Sequence, residues 1–284
     1  MSISSIRWPA PAKLNLFLHI TGRRADGYHL LQTAFQFIDY CDWLEFKLRS
    51  DGKLIRVIDL PGVDVADDLV MRAAALLQAY AKCSLGADIS LDKRLPMGGG
   101  IGGGSSDAAT TLVVLNELWQ LSLSMDELAA LGLTLGADVP VFVRGHAAWA
   151  EGVGEVLTPI TLVEPWFVVL VPSCHVSTVE LFSNKHLTRD VPVIRMPAFI
   201  EGQTQNVFEP IVRENYPEVN EALVWLEKYS EPRLTGTGAC VFASFESELQ
   251  ARAVLEKLPI KWEGFVAKGL NRSPLIDKVN ELSK

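Results

Sequence analysis

A glycine-rich segment constrains this chain more than any other feature. Six of the seven residues 98–104 are glycine, and Ser105, Ser106 and Asp107 follow directly. In regular structure each glycine would cost about 0.5–1 kcal/mol relative to alanine. Backbone N–H groups in such a loop can converge on an oxyanion, and the N-terminus of a following helix favours negative charge. The segment therefore predicts a phosphate-binding loop; a flexible surface loop is the alternative.

Two common phosphate-binding motifs fit this segment poorly. A Walker loop requires a lysine after the glycines, and the residues that follow here are Ser105 and Ser106. Gly98, Gly100 and Gly103 satisfy the dinucleotide pattern, but so glycine-rich a run satisfies many patterns. That pattern also requires a βαβ unit, whereas hairpin-like strands precede the loop. The sequence favours another class of nucleotide-binding protein.

Composition excludes several broad classes. The chain has 284 residues, a net charge of −8 and 49% hydrophobic residues, which is typical of a globular protein and not of a basic nucleic-acid binder. No stretch approaches the ~18 apolar residues of a membrane helix. The four cysteines are scattered and form no C-x-x-C pair. We therefore expect a cytoplasmic protein with reduced thiols, without nucleic-acid or membrane partners.

The order of strand and helix patterns predicts an α+β fold in two domains. Strand-like runs at 30–38 and 43–49 precede a hairpin connection at 50–53, and helical spacing follows at 67–82. Strands and helices then alternate without regular βαβ units, which argues against a doubly wound sheet. Residues 159–165 mark the predicted boundary between an N-terminal domain, 1–160, and a C-terminal domain, 161–284.

The first strand-like run carries polar residues on one face. Residues 12–20 alternate so that Lys13, Asn15, Phe17 and His19 share a face. Lys13 and Asn15 could therefore line one cleft, although an exposed strand lysine is the commoner arrangement. Further along, Asp138 precedes Val139-Pro140 and is either a helix N-cap or a general base.

Several motifs together resemble those of the GHMP small-molecule kinases. The segment from Pro96 to Ala109 resembles the family's phosphate loop. Residues 11–16, Pro-Ala-Lys-Leu-Asn-Leu, resemble its N-terminal motif, and residues 234–240, Leu-Thr-Gly-Thr-Gly-Ala-Cys, its C-terminal one. The motifs occur in the family's order, and the resemblance covers essentially the whole chain. It implies a two-domain GHMP kinase fold with the active site in the cleft between the domains.

The resemblance also implies a cofactor and its binding residues. The expected cofactor is ATP with Mg²⁺, and no residue stands out as the metal ligand, Ser105 and Ser106 being candidates. Asp68 stands where the family often has asparagine. If its carboxylate contacts adenine, it could accept a hydrogen bond from the amino group but could not donate one to a ring nitrogen. The implied ATP-binding residues are Pro96, Met97, Gly98, Gly99, Gly100, Ile101, Gly102, Gly103, Gly104, Ser105 and Ser106.

For catalysis, the resemblance implies that Asp138 accepts the proton of an alcohol nucleophile. It places Lys13 beside Asp138, where the ammonium would keep the carboxylate ionised and stabilise charge on the transferring phosphoryl group. The second glycine loop, Gly236 to Ala239, would support the phosphate loop and approach the substrate. From the residues alone, that loop could equally be a tight turn.

For the substrate, the motif from Arg24 to Leu30 resembles that of GHMP kinases whose alcohol carries a cytidine diphosphate group. The resemblance makes Tyr28 and His29 recognition residues for the base, with Phe182 on its other side and Asn15 also in contact with substrate. Aromatic packing at a hairpin is the alternative for Tyr28 and His29. We expect the protein to be a monomer or a weak homodimer.

Two rival functions remain open. One is a GHMP kinase that acts on homoserine or mevalonate, and the other is a non-catalytic nucleotide sensor.

Overall fold

The structure is a computed structural model that describes residues 6–200, 202 and 204–282. Within these residues it contains ten strands and ten helices. The strands are β1 (Arg7–Arg23), β2 (His29–Arg49), β3 (Leu54–Arg56), β4 (Gly86–Asp92), β5 (Ala148–Glu151), β6 (Val156–Pro159), β7 (Trp166–Val171), β8 (Pro232–Leu234), β9 (Val241–Phe245) and β10 (Glu263–Leu270). The helices are α1 (Leu69–Ala81), α2 (Gly103–Leu118), α3 (Met125–Leu133), α4 (Val139–Arg144), α5 (Thr178–Ser183), α6 (Met196–Ile200), α7 (Glu209–Asn215), α8 (Pro217–Leu226), α9 (Glu248–Leu255) and α10 (Pro274–Leu282).

The sheet is built around the long strand β2. Its main path has the order β3-β4-β2-β10-β7-β9-β8, and β1 and β5 pair with β2 off this path. The contact between β2 and β10 is short, with Gly269 opposite Ile38 and Leu270 opposite Phe37. Through this contact one sheet runs through both halves of the chain, so the elements that border the cleft are joined by backbone pairing.

Two details of the predicted strands are wrong. Residues 30–38 and 43–49 belong to one strand, because β1 pairs with β2 on both sides of residues 38–40. Residues 50–53 do not form a hairpin between β2 and β3. Strand β4 pairs with β2 from Trp43 to Arg49, and β3 therefore lies on the far side of β4, in parallel pairing with it.

The predicted helix is confirmed. The helical spacing at 67–82 corresponds to α1. Ser124 and Glu127 form the capping box at the start of α3. The short helix α6 and the C-terminal helix α10 were not predicted. Helix α10 is amphipathic and needs the surface of the folded chain to bury its apolar face.

Two large apolar clusters form most of the core. One packs α1, α2 and α4 against β1 and β2, with Phe37 and Phe142 in ring contact, and the other packs α7 and α8 against β7 and β9. Leu275 and Val279 of α10 belong to the first cluster, although α10 is C-terminal in sequence. The chain therefore returns to its N-terminal half at the end. The division at residue 160 stays a prediction.

Candidate active site

A cleft of about 1390 Å³ lies between the two halves of the chain. On one side it is lined by β1, the start of β2, the glycine loop and the segment before α4. On the other side it is lined by residues 175–179, 182–183 and 236–238. Among the described residues, no helix is long and apolar enough to cross a membrane. The cleft has the position that the fold prediction gave to the active site.

The glycine loop enters this cleft between β4 and α2. Gly98, Gly100 and Gly102 all have φ near +75°, a region that L side chains rarely adopt. The side chain of Ile101 is fully buried, and its carbonyl oxygen accepts from the Lys13 backbone N–H at 3.0 Å. One apolar anchor and one backbone hydrogen bond therefore hold the loop against β1.

Helix α2 begins at this loop without a side-chain cap. Gly102 is the N-cap residue, and within the described part of the chain no side chain accepts from the first N–H groups of the helix. Gly103, Gly104 and Ser105 line the cleft. The uncapped N–H groups and the positive end of a 16-residue helix form a suitable site for a phosphate group.

The second glycine loop packs directly on the first. The backbone N–H of Cys240 donates to the carbonyl oxygen of Gly99 at 3.1 Å. A Cβ placed on Gly100 would lie 2.3 Å from the carbonyl oxygen of Thr235, and one on Gly236 would lie 2.9 Å from that of Gly100. Glycine is therefore required by close backbone approach at both positions, and the expected support of one loop by the other is present.

Lys13 and Asp138 meet at the base of the cleft. The Lys13 ammonium lies 3.2 Å from Oδ2 of Asp138 and donates to the Gly100 carbonyl oxygen at 3.2 Å and to Oδ1 of Asn15. Its side chain is only 3% exposed, whereas that of Asp138 is 36% exposed. Asp138 occupies the N-cap position of α4, but its side chain makes no capping hydrogen bond. The carboxylate therefore faces the lysine and the cleft instead of capping the helix.

Asn15 joins three parts of the site. Besides accepting from Lys13, its side chain donates to the Thr33 hydroxyl at 3.0 Å, and its backbone N–H donates to the Thr235 hydroxyl at 3.0 Å. The shared face expected for residues 13–19 ends here. The strand pairing shifts register between Asn15 and Leu18. As a result, Phe17 packs in an apolar cluster with Trp149, and Leu18 lines the cleft instead.

The residues expected to bind a base lie together in another part of the cleft. Tyr28 is 65% exposed at the turn before β2, and the rings of His29 and Phe182 are 5.0 Å apart at 32°. Phe182 also packs edge-on against Phe208 at 4.9 Å. Burial, together with the positive charges of Arg189 and Arg23, lowers the pKa of His29. His29 is therefore biased towards the neutral imidazole.

Sequence reasoning missed a buried ion cluster under the glycine loop. Lys93 Nζ lies 2.5 Å from Oδ2 of Asp42 and 2.6 Å from Oδ2 of Asp107. Asp42 also accepts from the backbone N–H of Leu95 at 2.7 Å. Burial alone would lower the pKa of Lys93, but the two carboxylates outweigh it and raise that pKa. Burial raises the pKa of Asp107, with Lys93 opposing it. Isolated charged residues in the sequence gave no sign of this arrangement.

The remaining predicted site residues differ in their exposure to the cleft. Pro96 and Met97 line it, whereas Ser106 is fully buried. Among the described residues, the Ser106 hydroxyl has no hydrogen-bond partner. Asp68 lines the cleft but caps α1, accepting from the Val70 N–H at 2.9 Å. Its carboxylate is thus already engaged by the helix it begins.

The chain belongs to the GHMP kinase family. The GHMP kinases N terminal domain matches residues 68–146, and the GHMP kinases C terminal domain matches residues 192–264. Members of this family are ATP-dependent phosphotransferases.

Individual relatives resemble the chain over nearly its whole length. A protein of Nitrosococcus oceani, 4-diphosphocytidyl-2-C-methyl-D-erythritol kinase, is 58% identical over 270 residues, or 95% of this chain and 96% of that protein. The enzyme of the same name from Tolumonas auensis is 57% identical over 271 residues, or 95% of each chain.

Solved structures agree at the level of the fold. The crystal structure of 4-(cytidine 5'-diphospho)-2C-methyl-D-erythritol kinase has a TM-score of 0.81 at 32% identity and covers 93% of this chain and 99% of its own. A mevalonate kinase structure has a TM-score of 0.67 at 15% identity and covers 94% and 100%. At that identity the likeness to mevalonate kinase concerns the fold alone.

Proposed function

We propose that this chain transfers the γ-phosphoryl group of ATP to the 2-hydroxyl group of 4-diphosphocytidyl-2-C-methyl-D-erythritol, in isoprenoid precursor biosynthesis. The observation that carries the proposal is one cleft holding a phosphate loop, a Lys13–Asp138 pair and an aromatic site at His29 and Phe182. The relatives named for this reaction, at 55–58% identity over nearly the whole chain, support the choice of substrate.

In the proposed reaction, Asp138 accepts the proton of the substrate hydroxyl group. The oxygen attacks the γ-phosphorus, the bond from that phosphorus to the β–γ bridging oxygen breaks, and ADP leaves with the electron pair. Lys13 lies 3.2 Å from Asp138, where its charge favours the ionised carboxylate and offsets negative charge on the transferring group. Asn15 and the Gly100 carbonyl group hold the ammonium in place.

Nucleotide binding is assigned to the glycine loop and the start of α2. The uncapped N–H groups would contact the phosphates of ATP, and Pro96 and Met97 line the adjoining wall. Leu60, Val63 and Leu69 give the same cleft an apolar surface suited to a purine.

Residues near the start of α2 also fit a magnesium ion. Ser105 lines the cleft, and the buried Ser106 hydroxyl and Asp107 Oδ1 have no hydrogen-bond partner among the described residues. Mg²⁺ prefers oxygen ligands and is often held by one or two protein groups together with substrate phosphates. Such an ion would neutralise charge on the β- and γ-phosphates.

The base site decides between this substrate and those of other GHMP kinases. Tyr28, His29 and Phe182 provide aromatic surface that stacks well on a pyrimidine, and homoserine and mevalonate carry no base. ADP release should therefore be measured with the diphosphocytidyl substrate, with homoserine and with mevalonate. Turnover only with the first is the expected result. Turnover only with either of the others would overturn the proposed substrate, and no turnover at all would favour a nucleotide sensor.

A further inference from the structure

Arg189 connects the two walls of the candidate base site. Its Nε donates to Nε2 of His29 at 3.2 Å, across 160 residues of sequence. Its terminal nitrogens donate to the carbonyl oxygens of Phe182 and Asn184, both at 2.8 Å, and of Leu187 at 3.0 Å. One guanidinium thus joins the segment that carries Phe182 to the ring of His29.

The chemistry of arginine determines the protonation state of its partner. A guanidinium group is always charged and has only donors, so the ring nitrogen facing it must be an acceptor. Nε2 of His29 therefore carries no proton. In the neutral imidazole the proton is then on Nδ1, and the ring presents an N–H donor at that atom.

The groups packed around His29 favour this neutral form. Arg189 approaches from the segment after α5, Arg23 lies opposite on β1, and the facing ring of Phe182 carries no charge. Burial and the two arginines lower the pKa of His29, which disfavours the doubly protonated ring at neutral pH.

We infer that Arg189 is a positioning and specificity residue, which fixes His29 as the Nδ1–H imidazole beside Phe182 so that the site binds cytosine in preference to uracil. Cytosine N3 is an acceptor for such a donor, whereas uracil N3 carries a hydrogen. The inference deepens the proposed function and rests on it for the identity of the ligand.

The first test uses the unaltered protein without ligand. Imidazole ¹⁵N shifts distinguish the two neutral tautomers, and a His29→Gln variant identifies the signals of His29. We expect the Nδ1–H tautomer at pH 7.5. An Nε2–H tautomer or a doubly protonated ring would overturn the inference. This result does not depend on the substrate, so it stands apart from the turnover assay of the proposed function.

The second test removes the donors with Arg189→Met. We expect CDP to bind about 3- to 10-fold more weakly, which corresponds to the loss of one hydrogen bond. The ratio of CDP affinity to UDP affinity should also become smaller. The KM of the diphosphocytidyl substrate should rise in parallel, while the KM for ATP and kcat at saturation stay unchanged. Arg189→Lys keeps one cationic donor but cannot reach all four acceptors, and its effect should be intermediate.

Arg213→Met is the matched control. Arg213 lies on α7 and makes three hydrogen bonds, to Glu209, Asn220 and Glu227, at a distance from the residues that line the cleft. The Arg213→Met substitution should lower the melting temperature without changing the ratio of CDP affinity to UDP affinity. An Arg189→Met protein with the native tautomer and the native ratio would overturn the inference. Failure of the unaltered protein to bind CDP would instead overturn the proposed function.

Discussion

The ammonium group of Lys13 lies 3.2 Å from Oδ2 of Asp138, although the two residues are 125 positions apart in the sequence. Lys13 is buried on β1, and Asp138 is partly exposed at the first turn of α4. A buried lysine needs compensating partners. The Lys13 ammonium has three of them: Asp138, Asn15 and the Gly100 carbonyl oxygen. The carboxylate thereby keeps one side open to the cleft.

Asp138→Asn should reduce turnover by about 10²- to 10⁴-fold, because the proton acceptor is lost while the shape of the side chain is kept. ATP binding should be retained, since the phosphate loop is unchanged. The measurement is ADP release at saturating substrate together with calorimetric ATP affinity.

Asp126→Asn is the control for this substitution. Asp126 lies on α3 and forms an exposed ion pair with Arg144, so its loss should leave turnover unchanged. Near-normal turnover in Asp138→Asn would exclude the general-base role.

Gly102→Ala should destabilise the fold as well as alter the phosphate loop. Gly102 has φ +77°, and an added Cβ would lie 2.7 Å from the buried Phe142 ring and 3.1 Å from Cε of Lys13. We expect a loss of about 1–2 kcal/mol from the left-handed backbone and about 1–3 kcal/mol from overpacking. Chemical denaturation of both proteins gives the difference.

Gly62→Ala separates these two contributions. Gly62 has the same φ of +77°, but nothing lies within 4 Å of an added Cβ. It should therefore show the backbone cost alone. Equal losses for the two variants would mean that the Phe142 ring moves away without cost.

Local patterns were sufficient for much of this site. The glycine-rich run predicted a phosphate loop leading into a helix, and alternation along β1 placed Lys13 and Asn15 on one face. These features depend on backbone geometry and on period-two spacing, which neighbouring residues determine. Alternation failed at Phe17, because a register shift after Asn15 is imposed by pairing with β2.

Contacts between distant segments could not be predicted in the same way. Asp42, Lys93 and Asp107 are ordinary charged residues in the sequence, and only the packing of β2, β4 and α2 brings them together. The same holds for Arg189, which follows α5 without a recognisable motif yet reaches His29. The parallel pairing of β3 with β4 likewise depends on a distant contact, because β4 and not β3 pairs with β2.

Tyr28→Ala should weaken binding of the diphosphocytidyl substrate by about 1–3 kcal/mol, the usual contribution of one stacked base. Tyr28 is largely exposed, so its loss should leave the melting temperature unchanged. Tyr28→Phe keeps the ring and should have a much smaller effect. Calorimetry measures the affinities for the substrate and for ATP, and a thermal scan measures the melting temperature.

Tyr80→Ala is the matched control, because Tyr80 is also exposed but lies on α1. It should change neither affinity. Equal weakening of substrate and ATP binding in Tyr28→Ala, with a lower melting temperature, would instead identify Tyr28 as a packing residue of the hairpin.

His19 should contribute a loss of stability on mild acidification. This ring is 2% exposed on β1 and packs edge-on against Phe17 at 4.9 Å, and burial lowers its pKa. The unfolded chain, with a histidine pKa of about 6.5, then binds more protons than the folded one. The contribution of His19 to the free energy of unfolding should therefore decrease as the pH falls below about 6.5 and reach a lower plateau below the depressed folded-state pKa.

Urea denaturation at intervals between pH 7.5 and pH 5 measures this dependence. His19→Gln removes this contribution and should make the slope of the free energy of unfolding against pH less positive than in the unaltered protein, in which His29 and Asp107 also titrate. His186→Gln is the control, since it makes the same substitution at an exposed position after α5. An unchanged slope in His19→Gln would mean that another group binds the proton. Since burial on β1 disfavours the charged ring, we expect the slope to depend on His19.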